Sequence, residues 1–153
     1  MLCNIKSGSY TISSVNEDSY GQTDGCVWVI DGATGLGGKW LPEEASDAQW
    51  YASAFSRYLS HALADRTRSL PRIFSDGVKQ IWKEFAARTS VPPSCSAADL
   101  PCAVGAALRR KDGVLEYIAV GDCRILLRTR DGQTLELYDR RHEALDDESL
   151  RQM

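Results

Sequence analysis

The sequence predicts an α+β domain in which two helices cover one face of an antiparallel sheet. Three observations predict this fold class: β-rich segments open and close the chain, two helical segments lie together between them, and turn signals separate the later strands. Parallel strands would need a crossover helix between each pair, so this segregation favours antiparallel pairing. A length of 153 residues fits one domain, residues 1–153.

Two strands are predicted near the beginning of the chain. Residues 9–15 alternate weakly between polar and apolar side chains, which indicates a strand. Residues 16–25 are polar and have the composition of a turn. Residues 26–30 form a continuous apolar, β-rich run that is typical of a buried strand, and this strand is predicted to end at Asp31.

Two helices follow, over residues 42–65 and from Pro71 to about Arg88. The first opens with a proline and with acids that suit the positive end of a helix dipole: Pro42, Glu43, Glu44 and Asp47. Ser69 is a candidate cap for the second helix. Each helix carries an apolar stripe that core packing explains: Tyr51, Phe55, Tyr58 and Ala62 in the first, and Phe74, Val78, Ile81, Trp82 and Phe85 in the second.

The last third of the chain predicts an antiparallel meander. Hairpin turn signals occur at residues 111–113 (KDG) and 130–132 (RDG), and Gly121-Asp122 interrupts the pattern. The predicted strands are residues 102–108, 114–120, 124–129 and 134–138. A sheet that ends this way leaves an unpaired edge, so self-association through that edge is also expected.

Composition excludes several classes of protein. The net charge of −3 does not favour binding to nucleic acid or to an anionic membrane surface. No apolar run approaches the ~20 residues that span a bilayer. The cysteines are odd in number and form no CxxC pair, which indicates reduced thiols and a cytoplasmic protein. A cysteine–histidine zinc site is disfavoured because the chain has only two histidines.

A glycine-rich turn after the second predicted strand allows two interpretations. Residues 33–39 partly match a phosphate-binding loop, but Ala33 replaces its first glycine and Trp40 stands where a hydroxyl should bind magnesium. Phosphate loops also belong to parallel sheets, whereas this sheet is predicted to be antiparallel. A plain turn between strand and helix is therefore favoured over the phosphate loop.

Acidic residues beside the same turn suggest a metal site instead. A carboxylate at the end of a buried strand, such as Asp31, is costly unless it is paired or bound to a cation. If the first two strands are neighbours, Glu17 and Asp18 converge on Asp31, and Gly32 lets its carbonyl approach the same point. Hard oxygen ligands of this kind suit Mg²⁺ or Mn²⁺. Solvated acids in a turn are the alternative interpretation.

Three stretches in order resemble the motifs of PPM-type (type 2C) metal-dependent protein phosphatases. They are VNEDSY at residues 15–20, VWVIDGATG at 27–35 and EYIAVGDCRILL at 116–127. The family pattern is an acidic pair, a strand ending in Asp-Gly, two helices, and a strand entering Gly-Asp-Ser-Arg. The resemblance implies an antiparallel β-sandwich flanked by helix pairs, here apparently incomplete at the C-terminus, with two Mn²⁺ or Mg²⁺ ions at one end.

The resemblance also implies a role for each site residue. Asp31 matches the aspartate that bridges both metals, Gly32 the residue whose carbonyl binds one, and Glu17 and Asp18 the acidic pair that holds metal or water. Asp122 matches the aspartate of a further metal site, although a turn-shaping role is equally consistent with its position. The implied reaction is hydrolysis of phosphoserine or phosphothreonine in a phosphoprotein substrate by a metal-activated water.

The chain departs from the family pattern in two places. The family arginine that binds substrate phosphate is missing near Ser13 and Ser14, and Lys6 or Lys39 are candidate substitutes. The later metal aspartates are also missing, because Asp146 and Asp147 lie in a different context. The sequence therefore predicts a fragment or a truncated relative, with a non-catalytic binding or dimerisation module as the alternative function.

Overall fold

The computed structural model describes residues 8–92, 94–139 and 141. Its elements follow the predicted order of strands, two helices and strands. They are β1 (Asp18–Thr23), β2 (Cys26–Ala33), α1 (Asp47–Ala62), α2 (Leu70–Arg88), β3 (Cys102–Lys111), β4 (Val114–Val120), β5 (Arg124–Arg128) and β6 (Thr134–Tyr138), with a short 3₁₀ turn at Ala97–Asp99 before β3. The predicted α+β class is confirmed.

The strands form two antiparallel sheets rather than one continuous meander. The first sheet has the order β1-β2-β3-β4, and the second consists of β5 and β6. The chain leaves the first sheet at Gly121, whose φ of 77° is a left-handed conformation. A β-carbon at Gly121 would lie 2.2 Å from Cγ1 of Val104, so a glycine is needed where the meander divides.

The predicted strand at residues 9–15 is wrong, because that segment forms bends and Tyr10 and Ile12 are fully exposed. The first strand is instead β1, within the stretch predicted to be a turn. Its hairpin with β2 closes tightly, since Thr23 pairs with Cys26 across Asp24 and Gly25. Pairing with β2 along the whole of β1 outweighs the low strand propensity of its glycine and polar residues.

Helix α1 begins later than predicted. Its N-cap is Ser46, whose hydroxyl accepts the N–H of Gln49, so Pro42 lies before the helix rather than in its first turn. The buried carboxylate of Asp47 accepts the N–H groups of Trp40 (2.6 Å) and Leu41 (2.9 Å), which holds the preceding segment outside the helix. The predicted Ser69 cap of α2 is confirmed.

The core lies between the two helices and one face of the first sheet. Strand β2 alternates strictly, with Trp28 and Ile30 buried beneath the helices and Val29 on the opposite face. The indole N–H of Trp28 donates to the Ser56 hydroxyl at 2.8 Å, so its one polar atom is satisfied in the core. The other main contributors from the helices are Phe55, Leu59, Leu63, Ile73, Phe74, Ile81 and Phe85. Burial of this cluster is the main force that docks the helices.

One part of the predicted core is wrong. Val78 and Trp82 of α2 are each 47% exposed, although both belong to the apolar stripe. The other members of the stripe, Phe74, Ile81 and Phe85, are buried as predicted, and Phe85 contacts the ring of Trp50 at a centroid distance of 5.8 Å. The stripe is wider than the surface that the sheet offers to it.

Strand β5 lies across the other face of the first sheet. A cleft of about 550 Å³ between the sheets is lined by side chains of β1, β2, β3 and β5, among them Tyr20, Val29, Leu108 and Leu127. This layering is the predicted antiparallel sandwich, with one helix pair among the described residues. None of the helices described is long and apolar enough to cross a membrane. The described cysteines, Cys26, Cys95, Cys102 and Cys123, are free thiols, as predicted.

Candidate metal centre

Acidic residues gather at one end of the sandwich, which we call the acid rim (Glu17, Asp18, Asp31 and Asp122). In the β1–β2 hairpin Asp18 and Asp31 are directly opposite, so their side chains share a face. That face is the one turned away from the helices. Asp122 joins them because β4 ends at the same edge and the chain turns there toward β5.

The electrostatics of the acid rim are those of crowded like charges. Partial burial raises the pKa of Asp31, and the charge of Asp18, a hydrogen bond with Asp18 and the charges of Asp122 and Glu17 raise it further. Burial also raises the pKa of the Cys123 thiol to about 11, with the nearby Asp122, Asp31 and Asp18 adding to the effect. Cys123 is therefore a neutral thiol at neutral pH. Such an arrangement favours uptake of a cation.

Glu17 is held by the end of β2 at two points. The N–H of Gly32 donates to the carbonyl oxygen of Glu17 at 3.2 Å, and the hydroxyl of Thr34 donates to Oε1 of Glu17 at 2.6 Å. A β-carbon on Gly32 would lie 2.7 Å from that carbonyl oxygen and 2.8 Å from the carbonyl oxygen of Ala48. Close packing between the rim and α1 thus accounts for glycine at position 32, in addition to the predicted approach of its carbonyl to a metal.

Asp18 is held by the segment that precedes it. The hydroxyl of Ser9 donates to Oδ2 of Asp18 at 2.6 Å, and the side chain of Asn16 bonds both Ser9 and the N–H of Asp18. Sequence reasoning missed Ser9, Asn16 and Thr34 as parts of the site. The Asn-x-Asp spacing is a recognisable Asx-turn signal for Asn16, whereas nothing local marks Ser9.

The glycine-rich turn packs against the segment before β3. Leu36 donates its N–H to the carbonyl of Ala98 at 2.8 Å, and β-carbons at Gly35 or Gly37 would collide with Asp99. The ammonium group of Lys39 donates to the carbonyl of Pro42 at 3.1 Å. The lysine of the turn and one of its backbone N–H groups therefore donate to carbonyls of the same chain rather than to a phosphate. This favours the plain turn over the phosphate loop.

The donor set of the acid rim fits a hard divalent cation, since carboxylate oxygens are the ligands that Mg²⁺ and Mn²⁺ prefer. Asp18 and Asp31 lie opposite each other in the hairpin, and the charges of Glu17 and Asp122 also act on Asp31. Among the described residues no three such side chains are already arranged around one point. Lys6, Asp146 and Asp147 lie outside the described residues. The assigned roles of Asp31, Gly32, Glu17, Asp18 and Asp122 stay predictions.

Comparisons with known proteins give this geometry a context. A protein-family profile described as "Protein phosphatase 2C" matches residues 9–149. A search of curated proteins finds no match. A similar solved structure is the crystal structure of the Mycobacterium tuberculosis serine/threonine phosphatase PstP/Ppp, with a TM-score of 0.64 and 17% sequence identity.

The similarity to that structure is one of fold. It covers 90% of this chain but 55% of the mycobacterial chain, so this chain spans little more than half of that protein's length. The family profile, by contrast, runs from the segment before β1 through both sheets. The acid rim lies wholly inside the matched residues. By sequence profile and by fold, the chain belongs to the protein phosphatase 2C family.

Proposed function

We propose that this chain carries the metal-binding rim of a metal-dependent protein serine/threonine phosphatase. The observation that carries the proposal is the pairing of Asp18 with Asp31 across the β1–β2 hairpin, with Glu17 and Asp122 close by, in a chain of this family. Two carboxylates this close repel each other when both are ionised, and a divalent cation between them relieves that repulsion.

The chain's own residues supply the cradle. Asp31, at the centre of the acid rim, would hold the metal together with Glu17 and Asp18, which approach from the side of β1. Gly32 contributes its carbonyl and Asp122 approaches from the turn after β4. Bound Mn²⁺ or Mg²⁺ would supply an activated water for attack on phosphorus and would offset the charge of the phosphate.

The proposed substrate is a phosphoserine or phosphothreonine side chain of a protein, and the proposed location is the cytoplasm. The family supports this substrate class. Lys39 is not proposed to receive the substrate phosphate, because its ammonium group is engaged with the carbonyl of Pro42. The match covers only 55% of the mycobacterial phosphatase chain. That this chain is active by itself is therefore also a proposal.

Release of phosphate from a phosphothreonine peptide, measured with and without Mn²⁺, tests the proposal. Asp31→Asn should lower the Mn²⁺-dependent rate by at least about 100-fold, since even indirect partners of a metal cost 10- to 100-fold. Asp24→Asn is the matched control, because it makes the same charge change on an exposed turn at the opposite end of the hairpin.

Two results would overturn the proposal. One is a purified chain that releases no phosphate with either metal; the non-catalytic alternative would then be tested by its self-association in sedimentation. The other is an Asp31→Asn variant as active as Asp24→Asn, which would remove the acid rim from the chemistry.

A further inference from the structure

We propose that the hydroxyl groups of Thr34 and Ser9 are positioning groups that fix the acidic pair Glu17–Asp18 for cation binding. This inference rests on the proposed function and adds residues to it. Each hydroxyl donates to one carboxylate oxygen of the pair at 2.6 Å. Bonds of this length between a hydroxyl and a carboxylate are charge-assisted and strong.

Thr34 acts from the end of β2. It stands one residue beyond the strand, and the Gly32 N–H bond to the Glu17 carbonyl brings the two segments into register. The hydroxyl then takes Oε1 of Glu17, which leaves Oε2 as the second oxygen of that carboxylate for a cation or its water. A glutamate without this bond would sample more rotamers, and ordering it on binding would cost free energy.

Ser9 performs the same task for Asp18. Its hydroxyl donates to Oδ2 of Asp18, and the Asn16 amide donates to the Ser9 oxygen at 2.8 Å. The turn is tied to α1 because the side-chain amide of Gln49 donates to the Asn16 carbonyl at 3.2 Å. The hydroxyl is thereby attached to the helical layer rather than to a loose segment.

Each bond engages one carboxylate of the acidic pair, and neither involves Asp31. Metal-binding carboxylates commonly receive such hydrogen bonds from neighbouring groups, which set the direction of the ligating oxygen. The carboxylates are better ligands for the cation than the two hydroxyls are, so the hydroxyls are not proposed to bind it directly. Their effect should therefore appear in the affinity for the cation rather than in the stability of the fold.

Titration of the purified chain with Mn²⁺ alone, followed by the EPR signal of free Mn²⁺, tests the inference. Thr34→Val removes the hydroxyl and keeps the shape, and it should weaken Mn²⁺ binding about tenfold. Thr34→Ser restores the hydroxyl and should bind like the parent chain. Thr67→Val is the matched control, because Thr67 makes an identical exposed bond of 2.6 Å to Asp65, far from the rim.

A second measurement separates positioning from folding. The thermal midpoint of the metal-free chain should be unchanged in Thr34→Val and in Ser9→Ala, while both lose Mn²⁺ affinity. Parent-like affinity in both variants overturns the inference, and so does a loss of affinity that follows a matching loss of thermal midpoint. A parent chain that binds no Mn²⁺ overturns the proposed function as well, whereas equal binding by parent and Thr34→Val overturns this inference alone.

Discussion

The two ends of the first sheet carry opposite kinds of electrostatic environment. At the end away from the acid rim, the guanidinium of Arg109 is fully buried and donates to Glu116 at 2.7 and 2.9 Å. It also donates to the carbonyls of Asp65 and Arg68 at 3.1 and 2.8 Å. At the acid rim, Asp31 meets other carboxylates instead.

The comparison separates a charge that holds the fold together, at Arg109, from charges that repel one another, at the acid rim. Arg109 of β3 bonds its cross-strand partner on β4 and also the loop between α1 and α2, so it joins the loop to the sheet. Each of its side-chain nitrogens has a partner. A buried charge with all its partners stabilises one structure and offers nothing to a ligand. The crowded carboxylates of the rim repel one another, which favours the proposed binding of a cation. Four predictions test this contrast.

Arg109→Ala should have the largest effect on stability. The substitution leaves a cavity and strands two carbonyl oxygens and a carboxylate in the region that the guanidinium filled, so the free energy of unfolding should fall by about 3–5 kcal/mol. Urea denaturation followed by tryptophan fluorescence measures it. The exposed neighbour Arg110→Ala serves as control, with a change within about 0.5 kcal/mol; equal losses in both variants would remove the contrast between the two ends.

Gly32→Ala should cost stability and cation binding together. Its β-carbon meets two carbonyl oxygens at 2.7 and 2.8 Å, so strand and helix must separate, at a cost of about 1–3 kcal/mol. The free energy of unfolding and the Mn²⁺ affinity should both fall. A β-carbon on Gly8 meets nothing within 4 Å, which makes Gly8→Ala the control. An unchanged Mn²⁺ affinity in Gly32→Ala would contradict the coupling.

Asp31→Asn should act in the opposite direction on the metal-free chain. Removing one of several like charges relieves repulsion, so the free energy of unfolding at neutral pH and low salt should rise, on the order of 0.5 kcal/mol for an exposed group. The gain should shrink as salt screens the rim. Asp24→Asn should show no such gain, and a net loss of stability in Asp31→Asn would mean that the rim is structural.

The smallest expected effect is the change of stability with pH that Glu116 causes, and this change is confined to acid pH. The hydrogen bonds from Arg109 hold the pKa of Glu116 below its ordinary value of 4.5. Because the folded-state pKa is the lower one, the stabilisation is complete above 4.5 and is lost as the pH falls through the folded-state pKa. Denaturation of the parent chain and Glu116→Gln at several pH values measures this. The difference between them should narrow in acid; a constant difference would contradict the assignment.

Local motifs predict which carboxylates converge at the acid rim, but not the groups that hold them. The apolar run before Asp31 correctly predicts strand β2, but the predicted end at Asp31 is wrong, because the strand continues to Ala33 through its pairing with β3. Asp18 is predicted to converge on Asp31 from the end of a strand at residues 9–15, whereas the structure brings it there as the first residue of β1. Strand β1 contains Gly21, which local propensity disfavours. A β-carbon at Gly21 would lie 2.2 Å from the ring of Trp28, so the ring occupies that space. No local sequence pattern shows this contact.

The remaining differences from the predicted fold are also non-local. Val78 and Trp82 belong to a good helical stripe, yet the area of sheet beneath α2 decides which members are covered. The division of the meander at Gly121 depends on Val104 of a different strand. The hydroxyl partners of the acidic pair are set by where the chain folds back, as with Ser9 and Asp18.

Because Gly32 has no side chain, the carbonyl groups of Glu17 and Ala48 can both pack closely against it. The carbonyl of Ala48, in the second position of α1, occupies the space a larger residue would need. The next residue, Gln49, reaches Asn16 and so supports the turn that carries the acidic pair. A shift of α1 along its axis would therefore also move this turn. The position of α1 and the orientation of the two carboxylates depend on each other.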